Sequence, residues 1–270
     1  MEIERLKKII EYGSKNRRRI ENNVQDFYVL LGIDKGSGLR SPMQLIRTLL
    51  ENMNYIVIEM PFRDKEIGAL CYNGDALNYV FLNTALPKVN VNFALCHEVY
   101  HIFYQEKRLN RGIDLYMNEH YYQHEEELAA NSFAGMLLMP EQSYRMMCQK
   151  FKEEARKEDS MLTVAVKLMN YFEVPYMAAL IRCYELNLFE AGQVLEELLR
   201  VNSEDVRREF IRLWLDESIL DASKKDNYAR FEQLVKSCGE RYQAEEYLNA
   251  GTVSKALKNM GAVYKRIKGE

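Results

Sequence analysis

The sequence lacks the paired cysteines of a disulfide-stabilised or thiolate-metal protein. Its five cysteines are scattered and odd in number, and no two of them form a CxxC pair: Cys71, Cys96, Cys148, Cys183 and Cys238. Neither a disulfide framework nor a thiolate zinc site is therefore indicated. A chain of 270 residues can build a hydrophobic core without such staples. We expect a protein of a reducing, cytoplasmic compartment.

Long apolar runs and an excess of positive charge are also missing. No apolar run approaches the ~18 residues of a membrane-spanning helix. The N-terminal stretch MEIERLKKIIEYG is amphipathic and carries acidic residues, unlike a signal peptide. The formal net charge is −3, so no general basic field attracts the chain to nucleic acid. These absences predict a soluble protein with neither a membrane nor a nucleic acid as its partner.

Histidine is scarce as well, but the positions of the histidines are informative. All four lie between residues 97 and 124, and histidine is the side chain best suited to bind metal and move protons at neutral pH. Two of them belong to FALCHEVYHIFY, residues 93–104, whose apolar residues predict a central helix.

The HExxH spacing in this stretch predicts a metal site. In a helix, at ~100° per residue, His97 and His101 project from one face about 40° apart. Two imidazoles in that arrangement can share one tetrahedral Zn²⁺. Glu98 lies about 100° from His97, where its carboxylate can accept a proton from a metal-bound water. The alternative is a hydrogen-bonded pair of core histidines.

A catalytic zinc needs a third protein ligand, and a second helix about 20 residues further on offers candidates. Its sequence is HYYQHEEELAANSFAGMLLMP, residues 120–140. Glu127 is preferred, because Asn131 lies four residues later on the same face and can hydrogen-bond a ligand histidine. Glu125 and Glu126 point elsewhere and suit the start of a helix, where negative charge is favoured.

Polar and aromatic side chains also stand just before Glu127. His120 and His124 fall on nearly the same face and compete with Glu127 as third ligands. Together with Tyr121 and Tyr122 they are also candidates for contacting substrate or stabilising an oxyanion. The residue pattern does not rank these four.

Hydrophobic periodicity predicts an α+β fold, with a small sheet flanked by helices and an all-helical second half. Strands 66–72 and 77–83 should form a hairpin around the turn Asn73-Gly74. From residue 141 onward the pattern is helical. The elements expected before that point are helices over 2–31, 41–53 and about 90–104, strands over 55–62, 66–72 and 77–83, and a helix over 119–138.

The two metal-site segments together resemble the ImmA/IrrE family of zinc metallopeptidases. In that family an HExxH helix precedes a helix of the form ExxANxFAxxLLMP, and residues 127–140 match every position of the motif. The resemblance covers about residues 55–190. It implies a zincin-like fold in which His97, His101 and Glu127 bind one catalytic Zn²⁺ and Glu98 is the general base.

The resemblance also suggests a domain organisation. We expect a zincin-like metallopeptidase domain with N-terminal helices over residues 1–150. Residues 151–192 should form a helix-turn-helix-like segment, because MNYFEVPYMAALIRCYELNLF (169–189) is similar to a segment common after the peptidase core. Residues 193–270 match no known family and are expected to be a helical extension of unknown role.

Two residues beside the ligands depart from the family pattern. Tyr100 stands where the family usually has glycine, and a bulky group at this position can narrow the cleft. Cys96 stands where a small residue is usual. It is either a thiol buried in the helix or a redox-sensitive neighbour of the metal.

The resemblance implies a cytosolic zinc endopeptidase that cleaves a helix-turn-helix repressor and thereby induces genes of a mobile element or a stress response. We expect strand 77–83 to pair with an extended substrate. The alternative is a non-cleaving anti-repressor or toxin–antitoxin partner with the same fold. Direct DNA binding through residues 161–190 is not expected, because Lys167 and Arg182 are the only basic residues there.

Overall fold

A computed structural model describes residues 2–33, 42–73, 78–105, 125–190 and 192–270. Apolar residues at helical or alternating spacing form its elements where the sequence predicts them. The first half contains α1 (Ile3–Leu30), α2 (Met43–Asn52), β1 (Tyr55–Met60), β2 (Ala69–Asn73), β3 (Asn78–Asn83), α3 (Lys88–Phe103) and α4 (Glu125–Leu138). The second half contains α5 (Glu141–Glu153), α6 (Met161–Phe172), α7 (Tyr176–Glu185), α8 (Gln193–Arg200), α9 (Ser203–Arg212), a 3₁₀ turn (Glu217–Leu220), α10 (Tyr228–Ala244) and α11 (Ala250–Lys268). The predicted α+β class with an all-helical second half is confirmed.

The sheet has the order β1-β3-β2, so β3 is its central strand. β3 pairs in parallel with β1 and antiparallel with β2. The predicted hairpin is therefore confirmed, although Gly74 of its turn lies outside the described residues. The expectation that 77–83 pairs with a substrate is wrong, because both edges of β3 are already occupied. β1 and β2 are the edge strands, and β2 contacts α3.

Helices cover both faces of the sheet. One face, which includes Val80 and Leu82, packs into the main core with α1, α2, α3 and α4. The other face packs against α10 and α11 in a second apolar cluster: Ile58, Met60, Leu70 and Phe81 from the strands, with Tyr228, Phe231 and Ile267 from the helices. Full burial of such a side chain contributes about 1.5–3 kcal/mol. The C-terminal extension thus forms a third layer over the sheet.

Asn83, at the end of β3, organises the loops around the sheet. Its Nδ2 donates to the carbonyl oxygens of Asp64 and Ile67 at 2.9 and 2.7 Å. Its Oδ1 accepts from the backbone N–H groups of Phe62 and Ala85 at 2.9 and 3.0 Å. One fully buried amide therefore ties together the segments that follow β1, precede β2 and lead into α3.

The helical half is notable for the hydropathy of its helices and for an exposed tryptophan. Among the described residues no single helix is long and apolar enough to cross a membrane, and α6 and α7 pass that test only when joined across a bend of 109°. The sole tryptophan, Trp214, follows the end of α9 in the left-handed conformation (φ 56°) and is 96% exposed.

Candidate metal centre

Helix α3 presents two imidazoles to one point. Leu95, Val99 and Ile102 bury the other sides of the helix in the core, which leaves His97 and His101 on its remaining face. The two Nε2 atoms lie 3.0 Å apart. Because the two residues are one helical turn apart, their ring nitrogens converge.

Helix α4 brings Glu127 to the same point. Its Oε2 lies 3.1 Å from His97 Nε2, and its Oε1 lies 3.5 Å from His101 Nε2. The three residues offer ligand atoms that all lie within 4.8 Å of one another, so together they could hold a metal ion. Ligands of a tetrahedral ion at ~2.0–2.1 Å are separated by about 3.3–3.4 Å, close to the spacing found here.

Amide oxygens stand behind both histidines. Asn131 Oδ1 lies 3.1 Å from His97 Nδ1, and Gln105 Oε1 lies 3.0 Å from His101 Nδ1. When Nδ1–H donates to these oxygens, each Nε2 keeps its lone pair for a ligand. Two lone pairs 3.0 Å apart repel each other, and a shared cation relieves that repulsion. The donor set thus fits a metal ion.

The electrostatics of the site also favour positive charge. Burial lowers the pKa of His97, but its hydrogen bond with Glu127 and the charges of Glu98 and Glu127 outweigh burial, so the pKa is raised overall. The two carboxylates therefore stabilise a positive charge at this point, although the His97 ring is buried.

Glu98 lies beside the three ligand candidates and lines the same cleft. It is only 6% exposed, and its Oε2 has no hydrogen-bond partner among the described residues. An unpaired buried carboxylate oxygen is costly unless a proton donor or a cation completes it. Burial, followed by the charge of Glu98, raises the pKa of the nearby Cys71 thiol on β2. The position suits a group that accepts a proton.

Comparison with known proteins decides the family. Residues 50–184, half of the chain, match the model of the IrrE N-terminal-like domain, a peptidase family. The chain belongs to this family. The resemblance inferred from the sequence is confirmed, and with it the zincin-like core. No curated protein matches the chain.

In the IrrE-like domain, the candidate metal ligands line an open cleft of about 870 Å³. Residues 65–70, which run from the loop before β2 into its first two residues, line the cleft together with Phe93 and Ala94 of α3. A Cβ on Gly68 would lie 2.8 Å from Ala94 Cβ. The absence of a side chain at Gly68 therefore lets the backbone before β2 pack closely on α3. Further lining residues come from α1 and the helical region: Arg5, Lys8, Ile9, Leu128 and Pro175.

The two departures from the family pattern lie outside this cleft. Tyr100 is 1% exposed and packs on Phe133, with ring centroids 5.8 Å apart, so it does not narrow the cleft. Cys96 is fully buried and directs its sulfur towards Met43, 4.0 Å away. Burial raises the pKa of Cys96, which agrees with the buried-thiol interpretation and disfavours a redox-sensitive neighbour of the metal.

The remaining candidates are placed as follows. Glu125 is exposed in the first turn of α4, while the hydroxyl of Tyr100 donates to Glu126. The possible substrate or oxyanion residues His120, Tyr121, Tyr122 and His124 lie outside the described residues and stay predictions. Sequence reasoning missed Gln105, although its position four residues after His101 was a signal that it shares the ligand face.

Proposed function

We propose that the chain is a zinc-dependent endopeptidase. The observation that carries the proposal is the convergence of two Nε2 atoms and a carboxylate at metal-ligand spacing, beside a buried carboxylate with an unpaired oxygen, in an open cleft. Two nitrogens and one oxygen suit Zn²⁺, and three protein ligands leave one position open, as in catalytic sites. His97, His101 and Glu127 would hold the ion.

Each residue then has a role in peptide-bond hydrolysis. When bound, the zinc acts as a Lewis acid that polarises the scissile carbonyl and lowers the pKa of a bound water. Glu98 accepts a proton at its carboxylate and delivers it to the nitrogen of the leaving amine. Asn131 and Gln105 hold the two imidazole rings in orientation through Nδ1.

The edge of β2 suits an extended substrate. Asn83 N–H donates to Gly68 O at 3.0 Å, and Ala69 faces Leu82 in the register. In an antiparallel ladder this arrangement turns the backbone groups of Ala69 and Cys71 away from β3, towards the open edge. A peptide can therefore add there as a further strand. This replaces β3 with β2 as the substrate-binding strand.

For the substrate we propose a helix-turn-helix repressor, cut to induce a mobile element or a stress response. Membership of the IrrE-like family and the resemblance to ImmA/IrrE peptidases support this choice. Direct nucleic-acid binding stays disfavoured, since Arg182, one of the two cations in residues 161–190, is buried and paired with Glu185. The five free thiols support a reducing, cytoplasmic compartment.

The test uses the full-length protein loaded with zinc and the repressor encoded beside its gene. We expect a discrete pair of fragments, identified by mass spectrometry. Glu98→Gln should bind zinc as the wild type does but lose cleavage by at least about 10²-fold, whereas the exposed control Glu125→Gln should cleave normally. Undiminished cleavage by Glu98→Gln would remove the assigned base. A stable complex with no fragment would support the anti-repressor alternative.

A further inference from the structure

Tyr100 connects the two helices that carry the ligands. Its hydroxyl donates to Glu126 Oε2 at 3.1 Å. Tyr100 immediately precedes His101 on α3, and Glu126 immediately precedes Glu127 on α4. The hydrogen bond therefore joins the helices at positions one residue before a ligand on each side.

The ring of Tyr100 is itself held in a fixed position. It is 1% exposed, and its centroid lies 5.8 Å from that of the Phe133 ring and 6.3 Å from that of the Tyr104 ring. It also meets the His101 ring edge-on, with centroids 5.8 Å apart and an interplanar angle of 81°. A side chain constrained on several sides can place its hydroxyl accurately.

The partner of that hydroxyl lies where α4 needs support. The first turn of a helix has backbone N–H groups without intrahelical acceptors, so its position depends on outside contacts. Glu126 and the ligand Glu127 both belong to this turn. A hydrogen bond to an ionised carboxylate is stronger than one between neutral groups. Holding Glu126 thus restricts where the carboxylate of Glu127 can go.

A cation from α1 lies within electrostatic reach of this hydrogen bond. Arg19 Nη2 donates to Tyr12 Oη at 3.0 Å. Burial lowers the pKa of Arg19, but the nearby Tyr100, Tyr12 and Glu126 outweigh burial and raise it overall. Charged and polar groups from three helices thus influence one another, and one of them is the acceptor Glu126.

We propose that Tyr100 is a positioning residue, which through Glu126 sets Glu127 relative to His101 and so determines the affinity for the metal. The inference rests on the proposed metal site. It gives a function to a tyrosine that stands where the family usually has glycine. The ring fills the core, while the hydroxyl orients the ligand helix.

The test separates the hydroxyl from the ring by measuring zinc affinity in competition with a chromophoric chelator, on the full-length protein. Tyr100→Phe keeps the ring and should weaken zinc binding about tenfold, the lower end of the range for groups that hydrogen-bond a ligand directly. Glu126→Ala should lose as much, and the double variant no more than either single one. Glu126→Gln keeps an acceptor but loses the charge, so its zinc affinity should lie between that of Glu126→Ala and that of the wild type.

The control is Glu125→Ala, in the same turn but exposed, which should bind zinc as the wild type does. A Tyr100→Phe protein that binds zinc like the wild type would overturn the positioning role and leave the proposed peptidase intact. A wild-type protein that binds no zinc would instead remove the proposed function itself. Circular dichroism of each variant shows whether the fold is retained.

Discussion

Gln105 Oε1 lies 3.0 Å from Nδ1 of His101, the proposed metal ligand four residues before it in the chain. The amide holds His101 as Asn131 holds His97, from the side of the ring that faces away from the ligand point. Removal of such a partner typically costs 10–100-fold in metal affinity. We expect Gln105→Ala to weaken zinc binding at least about tenfold in a chelator competition, with Gln105→Glu, which keeps an acceptor, within a few-fold of the wild type. Equal affinity of Gln105→Ala and the wild type would contradict this orienting role.

The buried amide of Asn83 should be among the most sensitive positions for stability. Asn83→Ala leaves four backbone groups without their partners, two of them buried and two partly buried, at about 1 kcal/mol each. We expect the free energy of unfolding to fall by about 3–5 kcal/mol, measured by urea denaturation. Asn83→Asp keeps the two accepting contacts but sets a carboxylate oxygen against two carbonyls, so it should also be destabilised. If Asn83→Ala lowers the free energy of unfolding by less than about 1 kcal/mol, the loops are stable without this amide.

Glu59 on β1 makes the stability depend on pH. Burial raises the pKa of Glu59, but the hydrogen bond from Lys225 and the charges of Arg47 and Lys225 outweigh it and lower the pKa below 4.5. Because the folded pKa lies below the unfolded one, the stabilisation is fully present above pH ~4.5 and is lost as the pH falls through the folded pKa. We expect Glu59→Gln to cost about 1 kcal/mol at pH 7 and progressively less in acid. Exposed Glu51→Gln is the control; a difference independent of pH would contradict the assignment.

Two glycines in the C-terminal layer test its packing. In α11 a Cβ on Gly261 would meet no described atom within 4 Å, so Gly261→Ala should stabilise by about 0.5–1 kcal/mol through helix propensity. In α10 a Cβ on Gly239 would lie 2.5 Å from Val253 Cγ1. Gly239→Ala should therefore destabilise by about 1–3 kcal/mol, since α10 and α11 must separate. Thermal unfolding of both variants measures the contrast, and equal shifts would show that the two helices are not packed as described.

Features that depend on local spacing could be predicted from the sequence. The apolar period of α1 predicted a helix over 2–31, and the structure has Ile3–Leu30. His97 and His101 lie together because one helical turn separates them, and Asn131 marked Glu127 as the acid that faces them. In each case the spacing along the chain sets the geometry.

Features that depend on distant contacts could not be predicted. The parallel pairing of β1 with β3 is set by tertiary packing, and it places strand 77–83 in the centre of the sheet, where it cannot bind a peptide. The helical pattern after residue 141 did not indicate that the last two helices pack on the second face of the sheet. The partner of Tyr100 could not be predicted either, because Glu126 lies 26 residues further along the chain, on a different helix.

The position of Trp214 decides what fluorescence can report. An indole that is already 96% exposed in the folded chain has little hydration to gain on unfolding, so its emission should barely shift in denaturant. Tryptophan fluorescence would then miss the loss of the fold, which circular dichroism would detect. Because no second tryptophan contributes background, the same indole should instead report a macromolecule that settles on the end of α9, with a blue shift as the ring leaves water.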